Sequence, residues 1–304
     1  MKTEHAIAEP PHINWRGATW ITAGALALYA LFRVLPTGTN LHHLDFRVEG
    51  KGALEMCDPS RPQFIPVVAA RSPVVMTLAP APGTTDPHAI TLTLGTIGGK
   101  TIGPADLLTV HTRKLHLLAV DESLSDYQHL HPEPGEQPGE WRFTHTPLHG
   151  GLYRIFADFT PAATARGLYS FSDYTAPGPA ASGEDARGPV PGWIARRGAW
   201  EFIVTPAAGV LRAGQPTSLR FAVRGTEGGA PAPLELVMDA YAHLVVFDQA
   251  RSGFAHLHPK PGAEADKDLK FDVMIPQPGR YVLWAQVQIA GAGVFAPFAF
   301  DVLP

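Results

Sequence analysis

From residue 90 onward the chain is written in short apolar or alternating runs, broken about every 8–15 residues by Gly- or Pro-rich turns. Ile90–Leu94 alternates apolar residues with Thr, while Trp141–Thr144 and Tyr153–Phe159 are aromatic and β-branched. This period of two predicts strands. Beyond the N-terminal region no segment sustains a helical period. The exception is Ala18–Leu35, ATWITAGALALYALFRVL, an apolar run broken only by Arg33. Its length approaches the roughly 20 residues a bilayer requires, and it predicts a transmembrane anchor over 18–36. Arg33 near its end can snorkel, Trp15 and Trp20 occupy interfacial positions, and Pro36-Thr37-Gly38 stops the helix. No small-x-small cleavage site follows, which favours an uncleaved anchor over a signal peptide. Residues 1–17 then form a short cytoplasmic tail and 37–72 a juxtamembrane segment that either packs on the first domain or serves as a stalk. The expected location is the inner membrane, single-pass, with the C-terminal domains on the periplasmic or extracellular side.

The strands repeat. KLHLLAVDESLSDYQHLHPEPG, Lys114–Gly135, lies over YAHLVVFDQARSGFAHLHPKPG, Tyr241–Gly262, at a constant offset of 127. His116 falls on His243, Asp121 on Asp248, Tyr127 on Phe254, His129 on His256, His131 on His258 and Pro132 on Pro259. After one residue of slippage Gly151 matches Gly279, Tyr153 matches Tyr281, Phe156 matches Trp284 and Ala157 matches Ala285. Repeated short strands of this kind predict an all-β chain of two tandem immunoglobulin-like or cupredoxin-like β-sandwich domains, 73–176 and 198–304. The Pro/Gly-rich stretch 177–197 reads as a semi-stiff linker.

Composition narrows the function. The 304 residues carry a formal charge of −4 and no basic block, which argues against nucleic acid. The single Cys excludes an intrachain disulfide, a Cys-rich metal site and a blue-copper centre within either repeat. Cys57 is left as a ligand, an intermolecular disulfide partner or a buried thiol. Among metal-ligand residue types only His, at 14, is in surplus. There is no G-x-S-x-G elbow, P-loop, H-E-x-x-H or dinucleotide fingerprint, so the chain is expected not to be an enzyme.

Each copy carries His-x12-His-x-His-Pro. Positions i and i+2 of a strand share a face, so His129 with His131, and His256 with His258, can present paired imidazoles to one ion. The following Pro132 or Pro259 keeps its predecessor extended. His116 and His243 sit in runs apolar on both faces, and each can supply a third ligand. Neutral imidazoles suit copper(II), zinc or nickel. The competing reading is that these are buried polar residues satisfied by backbone carbonyls. Asp121 and Asp248 read as turn caps rather than ligands. His145 and His149 occur only in the first copy, and Met238 and Met274 only in the second.

The stretch KLHLLAVDESLSDYQHLHPEPG, followed by WRFTHTPLHGGLYRIFADFTP, resembles a bacterial envelope heavy-metal-associated β-sandwich domain. Its members read K-x-x-H-L, a Ser/Asp turn, aromatic-x-H-x-H-P, Gly-x-Tyr and a Phe-Ala-Asp strand. The resemblance covers about 60 residues of the first copy closely and the second more loosely. It implies an exported protein that handles copper or zinc through His116, His129 and His131 and, by the duplication, His243, His256 and His258. It departs from the family in lacking the Cys-containing segment that often precedes such domains and in carrying the domain twice. The partners so implied are a metal ion and the membrane, with no nucleic acid and no identified protein partner. The alternative is a non-catalytic structural or interaction module.

Overall fold

The computed structural model describes residues 14–34, 39–47, 63–264 and 267–304. Cys57 lies outside the described residues. Residues 1–40 form one compact unit and 41–304 another.

The first unit contributes a helix, Trp15–Val34. Asn14 starts it: its side-chain oxygen accepts from the Gly17 N–H at 3.1 Å, as an N-cap residue does. Trp20, Ile21, Tyr29 and Phe32 are exposed. Among the described residues no helix is long and apolar enough to cross a membrane, so the anchor expected over 18–36 is corrected to a 20-residue helix. Arg16, Gly17, Thr19, Thr22 and Gly24 dilute its N-terminal half with residues of little or unfavourable transfer free energy.

The second unit is all-β and contains two sandwiches. In the first, a sheet of Val74–Pro80, Ala89–Thr96, Glu140–Thr144 and the short Glu133–Pro134 faces a sheet built on Leu115–Asp121, Tyr127–Leu130, Gly151–Pro161 and Leu168–Ala176. In the second, Ile194–Arg197, Trp200–Pro206, Thr217–Gly225 and Leu269–Val273 face a sheet built on His243–Asp248, Phe254–Leu257, Gly279–Ile289 and Ala292–Leu303. The strand Ile194–Arg197 thus occupies the end of the stretch read as a linker. That stretch is tied down further by the Gly150 N–H, which donates to the Pro179 carbonyl (2.7 Å), and by the Gly192 N–H, which donates to the Ala299 carbonyl (2.9 Å).

Three apolar cores follow from alternation. Leu115, Leu117 and Ala119 face the interior of the first sandwich. Leu118 and Val120, on the other face of the same strand, enter a core shared with Val245, Phe247, Phe254, Val282 and Trp284 of the second domain. Leu244 and Val246 face the interior of the second sandwich. A strand covered on both sides is buried at every position, as LHLLAVD is, and five of its seven residues are apolar. The two inner sheets therefore pack face to face, with reciprocal contacts. Tyr127 meets Trp284 with ring centroids 5.8 Å apart, and the equivalent pair Phe254 and Phe156 meets at 5.3 Å. Such an exchange, in which i touches j and j touches i, marks a two-fold-like interface.

Part of the segment 37–72 also packs. Leu41 and Phe46 enter the first core, Phe64 the second, and Ile65 and Val67 the shared one. Ile65 pairs with Phe254 through two backbone hydrogen bonds of 2.8 and 3.1 Å. This approach requires Gly253, because a Cβ there would run into the Ile65 carbonyl.

Candidate metal centre

The register of the inner sheets assembles the histidines. Leu118 pairs with His129 and Val245 with His256, so His116 and His131, like His243 and His258, meet on the same face at the end of the shared core. The ligand atoms of His116, His129 and His131 lie within 4.8 Å of one another, and so do those of His243, His256 and His258. All six residues proposed from the sequence are thereby brought together, and the two sets also adjoin. Within the triads ring centroids are 4.6–5.6 Å apart. Across the domain boundary His129 stands 5.2 Å from His256 and 5.8 Å from His243, and His116 stands 5.8 Å from His256.

The outer hydrogen bonds decide which nitrogen of each ring is bare. His116 Nε2–H donates to the Val110 carbonyl (3.1 Å) and His243 Nε2–H to the Val237 carbonyl (2.9 Å). A neutral imidazole has one proton, so both Nδ1 atoms are left as lone pairs. The accepting carbonyls belong to matching tight turns, Val110–Arg113 and Val237–Ala240. His111 and Thr112 in one, and Met238 and Asp239 in the other, adopt positive φ, a conformation uncommon outside glycine. His129 Nδ1–H donates to Gln286 Oε1 at 2.9 Å, and His256 Nδ1–H to Asp158 Oδ2 at 3.1 Å. Their Nε2 atoms are bare in turn. His131 Nε2, His243 Nδ1, His256 Nε2 and His258 Nε2 are buried without a hydrogen bond among the described residues. His116 Nδ1 and His129 Nε2 lie 3.1 Å apart, and with the ring protons held on the outer nitrogens by Val110 and Gln286 they turn two lone pairs to one point.

Burial keeps these rings neutral. It is the first cause lowering the pKa of all six, followed in most of them by repulsion among the imidazoles. His131 is brought down to about 3 and His243 to about 4. Burial also raises the Asp158 pKa, against the pull of His116 and His111. Neutral imidazole is the metal-binding form.

Other sequence candidates lie elsewhere. Asp121 accepts from the backbone N–H groups of Ser123 (3.1 Å) and Asp126 (2.9 Å), and Asp248 from those of Ser252 (2.6 Å) and Gly253 (3.3 Å), so both cap turns. His149 meets Ser125 Oγ at 3.2 Å, and His145 is enclosed between Tyr153 and Tyr174. Three residues at the cluster were not singled out from the sequence: Asp158, Gln286 and His111, which stacks on His258 at 3.8 Å. The available signal was positional. Asp158 follows Phe156-Ala157 as Gln286 follows Trp284-Ala285, and the two differ in identity.

A family model described as a domain of unknown function (DUF8832) matches residues 72–171 and again 200–303. No curated protein matches the chain. Among solved structures, it is similar to fibronectin(III)-like modules of Clostridium thermocellum CbhA, at 9% identity and TM-score 0.20, covering 75% of this chain and 94% of that one. It is also similar to the Escherichia coli adhesin FdeC, at 13% identity and TM-score 0.25, covering 76% and 64%. A third similarity is to three N-terminal domains of the bacteriophage RB49 outer capsid protein Hoc, at 12% identity and TM-score 0.18, covering 75% and 58%.

Proposed function

The chain belongs to the DUF8832 family through both of its halves, and on that premise we propose that each copy holds a transition-metal ion, copper or zinc, in its His triad. The observation that carries this reading is the pair of bare nitrogens, His116 Nδ1 and His129 Nε2, 3.1 Å apart in a buried setting. Two lone pairs at that distance repel unless a cation lies between them. Bonds of about 2.0–2.1 Å to a tetrahedral ion bring its ligand nitrogens to about 3.3 Å of one another. Six imidazoles without a thiolate form a borderline donor set that suits copper(II) or zinc and gives calcium or magnesium little reason to bind.

The structural-module reading draws on the Val110 and Val237 hydrogen bonds, which anchor His116 and His243 to backbone carbonyls. Those bonds use Nε2 and orient Nδ1 towards the other rings, as an outer hydrogen bond does for a ligating imidazole. The test is a titration of the full chain with copper(II) or zinc. The expected result is about two equivalents bound, falling to one when His129 and His131 are replaced by Ala. Retention of only backbone stability effects, with no metal bound at micromolar concentrations, would leave the structural reading in place.

A further inference from the structure

We propose that the two triads are halves of one dinuclear centre, joined across the domain boundary by Asp158 and Gln286 and bridged by a small anion. This rests on the metal-binding reading above and goes further by making the two sites interdependent. The first support is spacing: His129 and His256, of different triads, stand 5.2 Å apart, closer than His116 to His129 (5.3 Å) or His243 to His256 (5.6 Å) within a triad, and two further cross-triad pairs stand at 5.8 Å.

The second support is an exchange of orienting groups. Asp158 is the strand partner of His116 and Gln286 that of His243, so both hold the same place in the repeat. Neither serves its own domain's His-x-His pair. Asp158 of the first domain fixes His256 of the second, and Gln286 of the second fixes His129 of the first. One imidazole of each triad therefore has its tautomer set by the opposite copy. The exchange is unequal, since a carboxylate makes its imidazole partner a stronger donor than an amide does. The His243, His256 and His258 triad should accordingly fill first.

The third support is access. A cavity of about 1010 Å³ between the domains has His111, His116, Asp158, His256 and His258 in its wall. Three imidazoles leave one position open on a tetrahedral ion. Two adjacent divalent ions among neutral ligands repel one another, and of the two carboxylates in that wall Asp272 pairs with Lys260 (2.7 Å) while Asp158 contacts His256. A bridging anion entering from the cavity satisfies both open positions and offsets the repulsion. Hydroxide is the simplest occupant, and azide is a probe of the same class.

The experiment loads the full chain with copper(II) and measures bound copper, spin concentration by electron paramagnetic resonance, and the response to azide. The expected result is two copper ions per chain with far fewer than two visible spins, and a new charge-transfer band on adding azide. Replacing His129 and His131 by Ala should leave one ion with a full single-spin signal. In a His256→Ala/His258→Ala background, Gln286→Leu should weaken the remaining first-domain site about 10–100-fold, and Gln286→Glu should restore it. Two ions giving two isolated spins, or a Gln286→Leu variant with unchanged first-domain affinity, would overturn the inference while leaving metal binding intact. A protein that binds no copper would overturn both.

Discussion

Eight histidines, the six of the cluster together with His111 and His145, have their pKa lowered primarily by burial. The unfolded chain takes up protons near the ordinary His value of about 6.5, whereas the folded protein resists them to lower pH. Stability contributed by these rings is therefore complete above pH 6.5 and is lost as pH falls towards the folded values, about 4 for His145 and His243 and about 3 for His131. His145 alone accounts for roughly 3 kcal/mol across that window. The urea midpoint of the metal-free protein should drop steeply between pH 7 and pH 4.5, and a flat profile would contradict the burial of neutral imidazoles. The exchanged pair Asp158 and Gln286 was hidden at this scale for a definite reason. Repeat matching rewards identity, and here the two copies place different residues at one position.

Individual strands were legible because their pattern is local. Ile90–Leu94, Trp141–Thr144 and Tyr153–Phe159 all lie within strands of the structure. The turn after each central strand was equally readable, since Asp121 and Asp248 cap it through neighbouring N–H groups. The addition of Gln63–Val67 beside Phe254 was not, because the pairing is long-range and depends on a glycine whose role appears only with its neighbour in place. Gly253→Ala should cost about 2 kcal/mol or more by forcing the Ile65 carbonyl away and breaking both backbone hydrogen bonds. Chemical denaturation would measure it, and an unchanged midpoint would mean the added segment contributes little. The helix illustrates the opposite error: its existence was readable, but a run broken by Thr and Gly falls short of the apolarity a bilayer demands.

For the molecule as a whole, the shared core makes the two sandwiches one cooperative body. Phe156, Phe247 and Phe254 are essentially inaccessible, and separating the domains would expose them together. Calorimetry should show one main transition for residues 41–304, and two well-separated peaks would contradict a continuous core. Metal at about 1,000 times its Kd should stabilise that transition by about 4 kcal/mol per site, reversed by a chelator. This scale was the least legible in the sequence. The duplication aligned each triad with its counterpart but carried no information on whether the counterparts touch.

The reciprocal pairing of Tyr127 with Trp284 and Phe254 with Phe156 has an evolutionary consequence. A single-copy ancestor would have met itself through the same surface as a symmetric homodimer, with identical residues on both sides of the axis. Fusion into one chain released that constraint, allowing an acid on one side and an amide on the other, a difference that no strictly symmetric assembly can encode.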